Sequence, residues 1–316
     1  MSSLIEQAAL RLEQLRQAGV ELAEIEVPKA PAAGLATSLA AEALRPSPAA
    51  SRVLDATASS RRITIDLDAV SAGGILTPNA PRSHVADQYR VLKRPLISNA
   101  MGKGAATIKH SNLIMVTSAL AGEGKSFTSI NLAMSIAAEL DHTVMLVDAD
   151  VARPSVLRVL GLPPGPGLLD LLEGKADMAG VLLRTNIDKL TLLPSGTPHA
   201  RATELLASEA MSQLLDDMAT RYPDRIIIFD SPPLLLTTES RVLATHMGQI
   251  VVVVNAGVTL QANVQQALAT IESCPVKMMV LNKSTTDSAG GYGYGYGYGA
   301  GYGYGYGAGS DLKPES

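Results

Sequence analysis

Ala119-Leu120-Ala121-Gly122-Glu123-Gly124-Lys125-Ser126 decides how the rest of this 316-residue chain is read. An apolar, strand-like run at Leu113–Thr117 leads into it, and a helical pattern over Lys125–Leu140 leads out. That strand–turn–helix context makes the octapeptide a phosphate loop, with Ala119 standing where the pattern has its first Gly. Gly122 and Gly124 let the backbone curl so that successive N–H groups face an anion. The helix N-terminus adds positive potential. Lys125 is placed to reach the β- and γ-phosphates, and the Ser126 hydroxyl to ligate Mg²⁺. The expected ATP-binding set is Ala121, Gly122, Glu123, Gly124, Lys125, Ser126 and Phe127.

Outward from the loop, strand-like runs recur at Val144–Val147, Leu190–Leu193, Arg225–Phe229, Gln249–Val254 and Val276–Leu281. Helical patterns separate them at Thr203–Thr220, Arg241–Thr245 and Gln261–Ile271, and another helix is expected from Ser83 to Leu92, ending at Pro95. Strands alternating with helices predict an α/β fold with a parallel sheet flanked by helices, of the P-loop NTPase type. Ile250–Val254 is apolar at every position, as a strand buried on both faces requires. Two runs end in acid: Val144–Val147 in Asp148-Ala149-Asp150, and Ile226–Phe229 in Asp230. Ligands of parallel sheets sit at the carboxyl ends of strands, so these carboxylates are expected to face the phosphates. Mg²⁺ needs few protein oxygens, and Ser126, Asp148 and Asp230 are the expected metal set. Asp148 or Asp150 is the candidate base beside Lys125. Asn282, at the end of the last strand, is a candidate contact to the adenine.

The two ends of the chain read differently. Residues 1–25 carry an amphipathic helix, with Leu4, Ala8, Leu12 and Leu15 at helical spacing. Residues 26–82 form an Ala/Pro-rich linker, partly disordered, with a short strand at Ile63–Leu67. A domain is expected over 83–288, followed by a disordered Gly/Tyr-rich tail over 289–316. The net charge of −4 offers no field for nucleic acid. The single cysteine, the absence of a spanning apolar run and the lack of a signal-like start predict a cytoplasmic protein.

This combination resembles the bacterial tyrosine kinases, P-loop proteins with Walker A, A′ and B motifs, here Ala119–Ser126, Val144–Asp150 and Ile226–Asp230. Within that family it is similar to the autokinases of exosortase and exopolysaccharide loci. The similarity lies in Tyr89–Leu96, Asn131–Ala137, Ala202–Ser208 and Phe229–Leu235, and in Ile65–Leu67 and Gly74–Pro78 ahead of them. The resemblance implies γ-phosphoryl transfer from MgATP to tyrosines of the chain's own tail, namely Tyr292, Tyr294, Tyr296, Tyr298, Tyr302, Tyr304 and Tyr306. It also implies a ring-like homo-oligomer that dissociates on phosphorylation, and a membrane co-polymerase-type activator that recruits the chain to the inner face of the plasma membrane. The family's E-x-x-R-x-x-R oligomer motif corresponds to Asp87, Arg90 and Lys93. The family's D-x-D-x-R is only partly kept, because Ala152 stands at the Arg position and Arg153 follows. Two other readings stand beside this one. A partition or site-selection ATPase would carry a signature Lys where Leu120 stands. The other is a non-catalytic, nucleotide-gated adaptor of polysaccharide export.

Overall fold

The computed structural model describes residues 61–78, 82–104, 107–222 and 224–284. The expected N-terminal helix, most of the linker and the Gly/Tyr tail lie outside them. In chain order the elements are β1 (Arg61–Arg62), α1 (Leu67–Ala72), α2 (His84–Ala100), β2 (Leu113–Ser118), α3 (Lys125–Ala137) and β3 (Thr143–Asp148). Next come α4 (Val156–Val159), α5 (Leu168–Leu172), α6 (Met178–Val181), β4 (Leu183–Arg184), β5 (Leu190–Leu193), α7 (Ala202–Leu206) and α8 (Glu209–Arg221). The series closes with β6 (Arg225–Asp230), α9 (Glu239–Ala244), β7 (Gln249–Asn255), α10 (Gln261–Ala269) and β8 (Val276–Asn282).

The strands form one eight-stranded sheet in the order β1-β4-β5-β3-β6-β2-β7-β8. Every pairing is parallel except β4 with β5, so the sheet is mixed at that edge rather than wholly parallel. Continuous apolar runs are needed because the pleat sends alternate residues to opposite layers. In β2, Leu113 and Met115 enter one core and Ile114 and Val116 the other. In β7, Ile250 and Val252 divide from Val251 and Val253 in the same way.

Several sequence expectations are corrected. No strand forms at Ile63–Leu67: the two-residue β1 precedes it, and Asp66 caps α1, which starts at Leu67, by accepting from the amides of Asp68 and Ala69 at 3.1 and 3.0 Å. Ile65, Val70 and Ile75 are buried, so packing begins ahead of residue 83. Leu76 N–H donates to Asn131 Oδ1 (2.6 Å), fastening this segment to α3. The helix expected to end at Pro95 continues to Ala100. Pro95 and Val91, whose carbonyl loses its donor, are both exposed, so the forfeited bond lies on the solvent side while Leu96 and Ala100 remain buried. The helix expected over Thr203–Thr220 breaks into α7 and α8 because Ser208 caps a new start, its hydroxyl accepting from Met211 N–H (3.3 Å).

Lys93, expected at an oligomer surface, is only 4% exposed. Its ammonium donates to the Ser135 carbonyl (2.5 Å) and pairs with Glu139 Oε1 at 2.7 Å, pinning α2 to the end of α3. That hydrogen bond holds Glu139 below the usual carboxylate range. Of the proposed motif, only Asp87 and Arg90 stay on the surface, paired to each other.

Candidate active site

β2 ends at Ser118, and the chain must reverse into α3 within a few residues. Gly122 and Gly124 take φ of 82° and 99°, the left-handed region that a side chain resists. Gly124 is constrained twice, since a Cβ there would stand 2.1 Å from Asn282 Nδ2. Gly124 is also the cap residue of α3 and supplies no side-chain acceptor, so the first amides of the helix remain available to an anion.

The loop is held from outside by groups whose partners lie far along the chain. Glu123, expected to touch the nucleotide, turns its carboxylate inward and is 2% exposed. Its Oε2 accepts from Leu120 N–H (2.6 Å), and its Oε1 accepts the Thr259 hydroxyl. Only its backbone can therefore serve a phosphate. Asn282 is brought to the site, but its Nδ2 donates to the Glu123 carbonyl (2.9 Å), so it buttresses the loop. Lys283 donates to the Gly122 carbonyl (2.8 Å). Thr259 and Lys283 carry no motif, and their roles emerge only from the fold.

Asp148 and Asp230 are register partners at the ends of β3 and β6, so parallel pairing alone sets the two carboxylates side by side. Asp148 Oδ2 accepts the amides of Ser155 and Val156, both at 3.0 Å. Asp230 Oδ1 accepts the Ser129 hydroxyl (3.1 Å). The other two oxygens, Asp148 Oδ1 and Asp230 Oδ2, are buried with no hydrogen-bond partner among the described residues. Burial, with Asp230 adding repulsion, pushes the Asp148 carboxyl up to about 7. Burial pushes Asp230 up to about 6, against the lowering influence of the nearby Ser126 hydroxyl and the Lys125 charge. Two orphaned anionic oxygens beside a hydroxyl are what a small hard cation satisfies, so the residues fit Mg²⁺. Among the described residues no cluster of three or more His, Cys, Asp or Glu forms a cage of its own. A Mg²⁺ held by one or two carboxylates and substrate phosphates needs none.

Lys125 Nζ lies 3.6 Å from Asp150 Oδ2, both side chains about nine-tenths buried. Burial raises Asp150 while Lys125 opposes the shift. Ser126 accepts a hydrogen bond from the Ser155 hydroxyl (2.6 Å), which ties the loop to the start of α4. Ala121 and Gly122 are exposed at the mouth. Beside them a 440 Å³ groove between α2 and β8 is lined by Tyr89, Leu92, Phe127 and Val280 together with polar groups such as Gln88 and Asn282, a mixed slot next to the loop with room for a nucleotide base. The seven tail tyrosines lie outside the described residues.

Residues 111–284 match the AAA domain family. Tyrosine-protein kinase YwqD of Bacillus subtilis (strain 168) is 29% identical over 205 residues, 65% of this chain and 83% of that protein. Tyrosine-protein kinase CpsD of Streptococcus agalactiae is 31% identical over 179 residues, 55% of this chain and 76% of that one. Tyrosine-protein kinase ptk of Acinetobacter johnsonii is 34% identical over 188 residues, 59% of this chain but only 25% of that protein. The chain thus spans most of the shorter relatives and about a quarter of the longer ones. Among solved structures, the kinase domain of VpsO matches with a TM-score of 0.52 at 27% identity, covering 64% of this chain and 100% of that one.

Proposed function

Because the chain belongs to the bacterial tyrosine-protein kinase family, built on a P-loop, we propose that it transfers the γ-phosphoryl group of MgATP to tyrosine hydroxyls, its own tail tyrosines among them. The observation that carries this reading is the pair of orphaned oxygens on Asp148 and Asp230, facing a phosphate loop with uncapped amides. Mg²⁺ held there would supply neutralisation of the charge on the β- and γ-phosphates. The loop amides and Lys125 hold the phosphates in line, and Ser126, Asp148 and Asp230 hold the metal. Asp150 takes the acceptor proton: at 6% exposure it is the most open of the three aspartates, and Lys125 keeps it near the phosphates. Tyr292 through Tyr306, each flanked by Gly, thread into such a site in extended form.

Among the described residues no helix is long and apolar enough to cross a membrane. The chain works at the inner face of the plasma membrane through a membrane co-polymerase-type partner, and self-association is the state in which one subunit's tail meets the next subunit's loop. The cycle regulates exopolysaccharide synthesis or export. Incubation of pure protein with MgATP, followed by mass spectrometry of the tail, tests the reaction. Phosphotyrosine should accumulate in the wild type and be lost in Lys125→Met. Equal phosphotyrosine in both would remove the assignment.

A further inference from the structure

A pocket of 330 Å³ opens at the amino ends of β3, β5 and β6, whose first residues Thr143, Leu190 and Arg225 line it. The phosphate loop and the aspartates are at the carboxyl ends. Six-residue strands place the two about 17 Å apart, so this pocket is not part of the candidate active site. Four lining residues are cationic, Arg62, Arg184, Lys189 and Arg225, against one carboxylate, Asp188. A chain of net charge −4 concentrates positive charge here, and its geometry says why that needs a ligand.

Arg62 and Arg184 are direct register partners in the β1–β4 ladder. Like charges placed opposite one another destabilise a sheet. Neither guanidinium has an ion-pair partner among the described residues. Arg225 has a buried Nε with no hydrogen-bond partner among them, while its guanidinium carbon sits 4.6 Å from the Tyr222 ring centroid. A buried donor left unpaired costs about 1–3 kcal/mol. Most of the other polar lining is already committed, Asp188 excepted. Lys189 donates to the carbonyls of Glu139 and Leu140, and Asn186 bonds both backbone groups of Ile65. The Thr185 hydroxyl is engaged with Ile187 and Leu190. What remains is a fixed frame carrying three guanidinium groups with unspent donors.

We propose that this pocket binds a phosphate monoester through Arg62, Arg184 and Arg225. A phosphate dianion offers three acceptor oxygens, and planar guanidinium forks match them in pairs. It would relieve the Arg62–Arg184 repulsion and give the Arg225 guanidinium an anionic partner. The monoester has two possible sources, a small phosphorylated solute or a phosphotyrosine of this chain. The second source rests on the kinase reading, whereas the site itself does not.

The experiment is calorimetric titration of the full-length, unphosphorylated protein with phenyl phosphate, inorganic phosphate and a Gly-phosphotyrosine-Gly peptide. The comparison is with Arg62→Gln and with the double variant Arg62→Gln/Arg184→Gln, both at surface-exposed positions. Saturable binding of phenyl phosphate is expected in the wild type, with Kd raised at least tenfold in the double variant and less in the single one. Any binding at the phosphate loop is common to all three proteins and cancels. The melting temperature of the double variant without phosphate should equal or exceed that of wild type, because a like-charge pair has gone, and phosphate should no longer raise it. A peptide bound at least tenfold more tightly than inorganic phosphate assigns the site to phosphotyrosine, and equal affinities assign it to a small solute. Equal Kd values in wild type and both variants, or no saturable binding in the wild type, would overturn the proposal. No ATP turnover is needed, so that failure would leave the kinase reading intact.

Discussion

Glu123 directs its carboxylate into the protein, and so separates what the sequence reveals at a single residue from what it hides. The phosphate loop, Lys125, Ser126 and the aspartates at two strand ends are legible because their chemistry follows from local spacing. The parallel ladder then sets Asp148 beside Asp230 without further instruction. The role of Glu123 is not legible, because its partner Thr259 stands 136 positions away and carries no pattern. Asn282 was likewise legible as a residue near the site but not as a buttress of the loop. One prediction belongs at this scale. Asp148→Asn and Asp230→Asn each remove an orphaned oxygen's charge, so Mg²⁺ affinity in the presence of ADP should fall at least tenfold. Without Mg²⁺ both variants should melt no lower than wild type, since each abolishes a buried carboxylate that burial already disfavours. Thermal melts across a Mg²⁺ titration check both. A wild-type Mg²⁺ response in the two variants would remove these residues from the metal site.

α2 is the element where local rules and packing disagree. Pro95 reads as a stop, yet Leu96, Ala100 and the Asn99–Gln249 hydrogen bond (2.9 Å) hold its last turn against the sheet, while the bond that proline forfeits faces water. The central strands were legible nearly to the residue because a two-layered core demands apolar side chains on both faces. α7 and α8 were not separable, since a single serine cap interrupts one continuous amphipathic pattern. Lys93 was read as a surface charge, and its burial depends on Glu139, which no spacing rule pairs with it. Replacing Lys93 with Met should therefore lower stability by about 3 kcal/mol, because it leaves Glu139 and the Ser135 carbonyl without their donor. Glu139 has a lowered carboxyl pKa in the folded state, so the stability it contributes is present above the unfolded carboxylate pKa of about 4.3 and is lost as pH falls below it. Urea melts at pH 7 and pH 3.5 should show the gap between wild type and Lys93→Met narrowing at the lower pH. A constant gap would mean that the Lys93 contribution is packing alone.

For the whole molecule, composition puts a boundary at residue 83, yet Ile65, Val70 and Ile75 are buried ahead of it, because these apolar positions are spread through a stretch adjoining Ala- and Pro-rich sequence. With Lys93 spent inside one subunit, only Asp87 and Arg90 of the expected motif are still offered to a second copy, so self-association should depend more on tail docking than on this motif. Each phosphotyrosine adds about −1.5 to −2 charges at pH 7, so seven of them would add roughly −10 to −14. Against a net charge of −4, such a tail would dominate the molecule's field. It would then be repelled from a site that holds ATP phosphates and three aspartates, and subunits joined by tail insertion should separate. Screening sets the range of that repulsion: the Debye length is about 10 Å at 0.1 M salt and about 3 Å at 1 M, so dissociation should be complete at low salt and partial at high salt. Light scattering before and after autophosphorylation, with all seven tail tyrosines changed to Phe as the control, measures it. Arg90→Glu should shift the mass far less than phosphorylation does, whereas the reverse ranking would restore α2 as the main interface. An unchanged mass at low salt with a heavily phosphorylated tail would show that tail docking does not hold the assembly together.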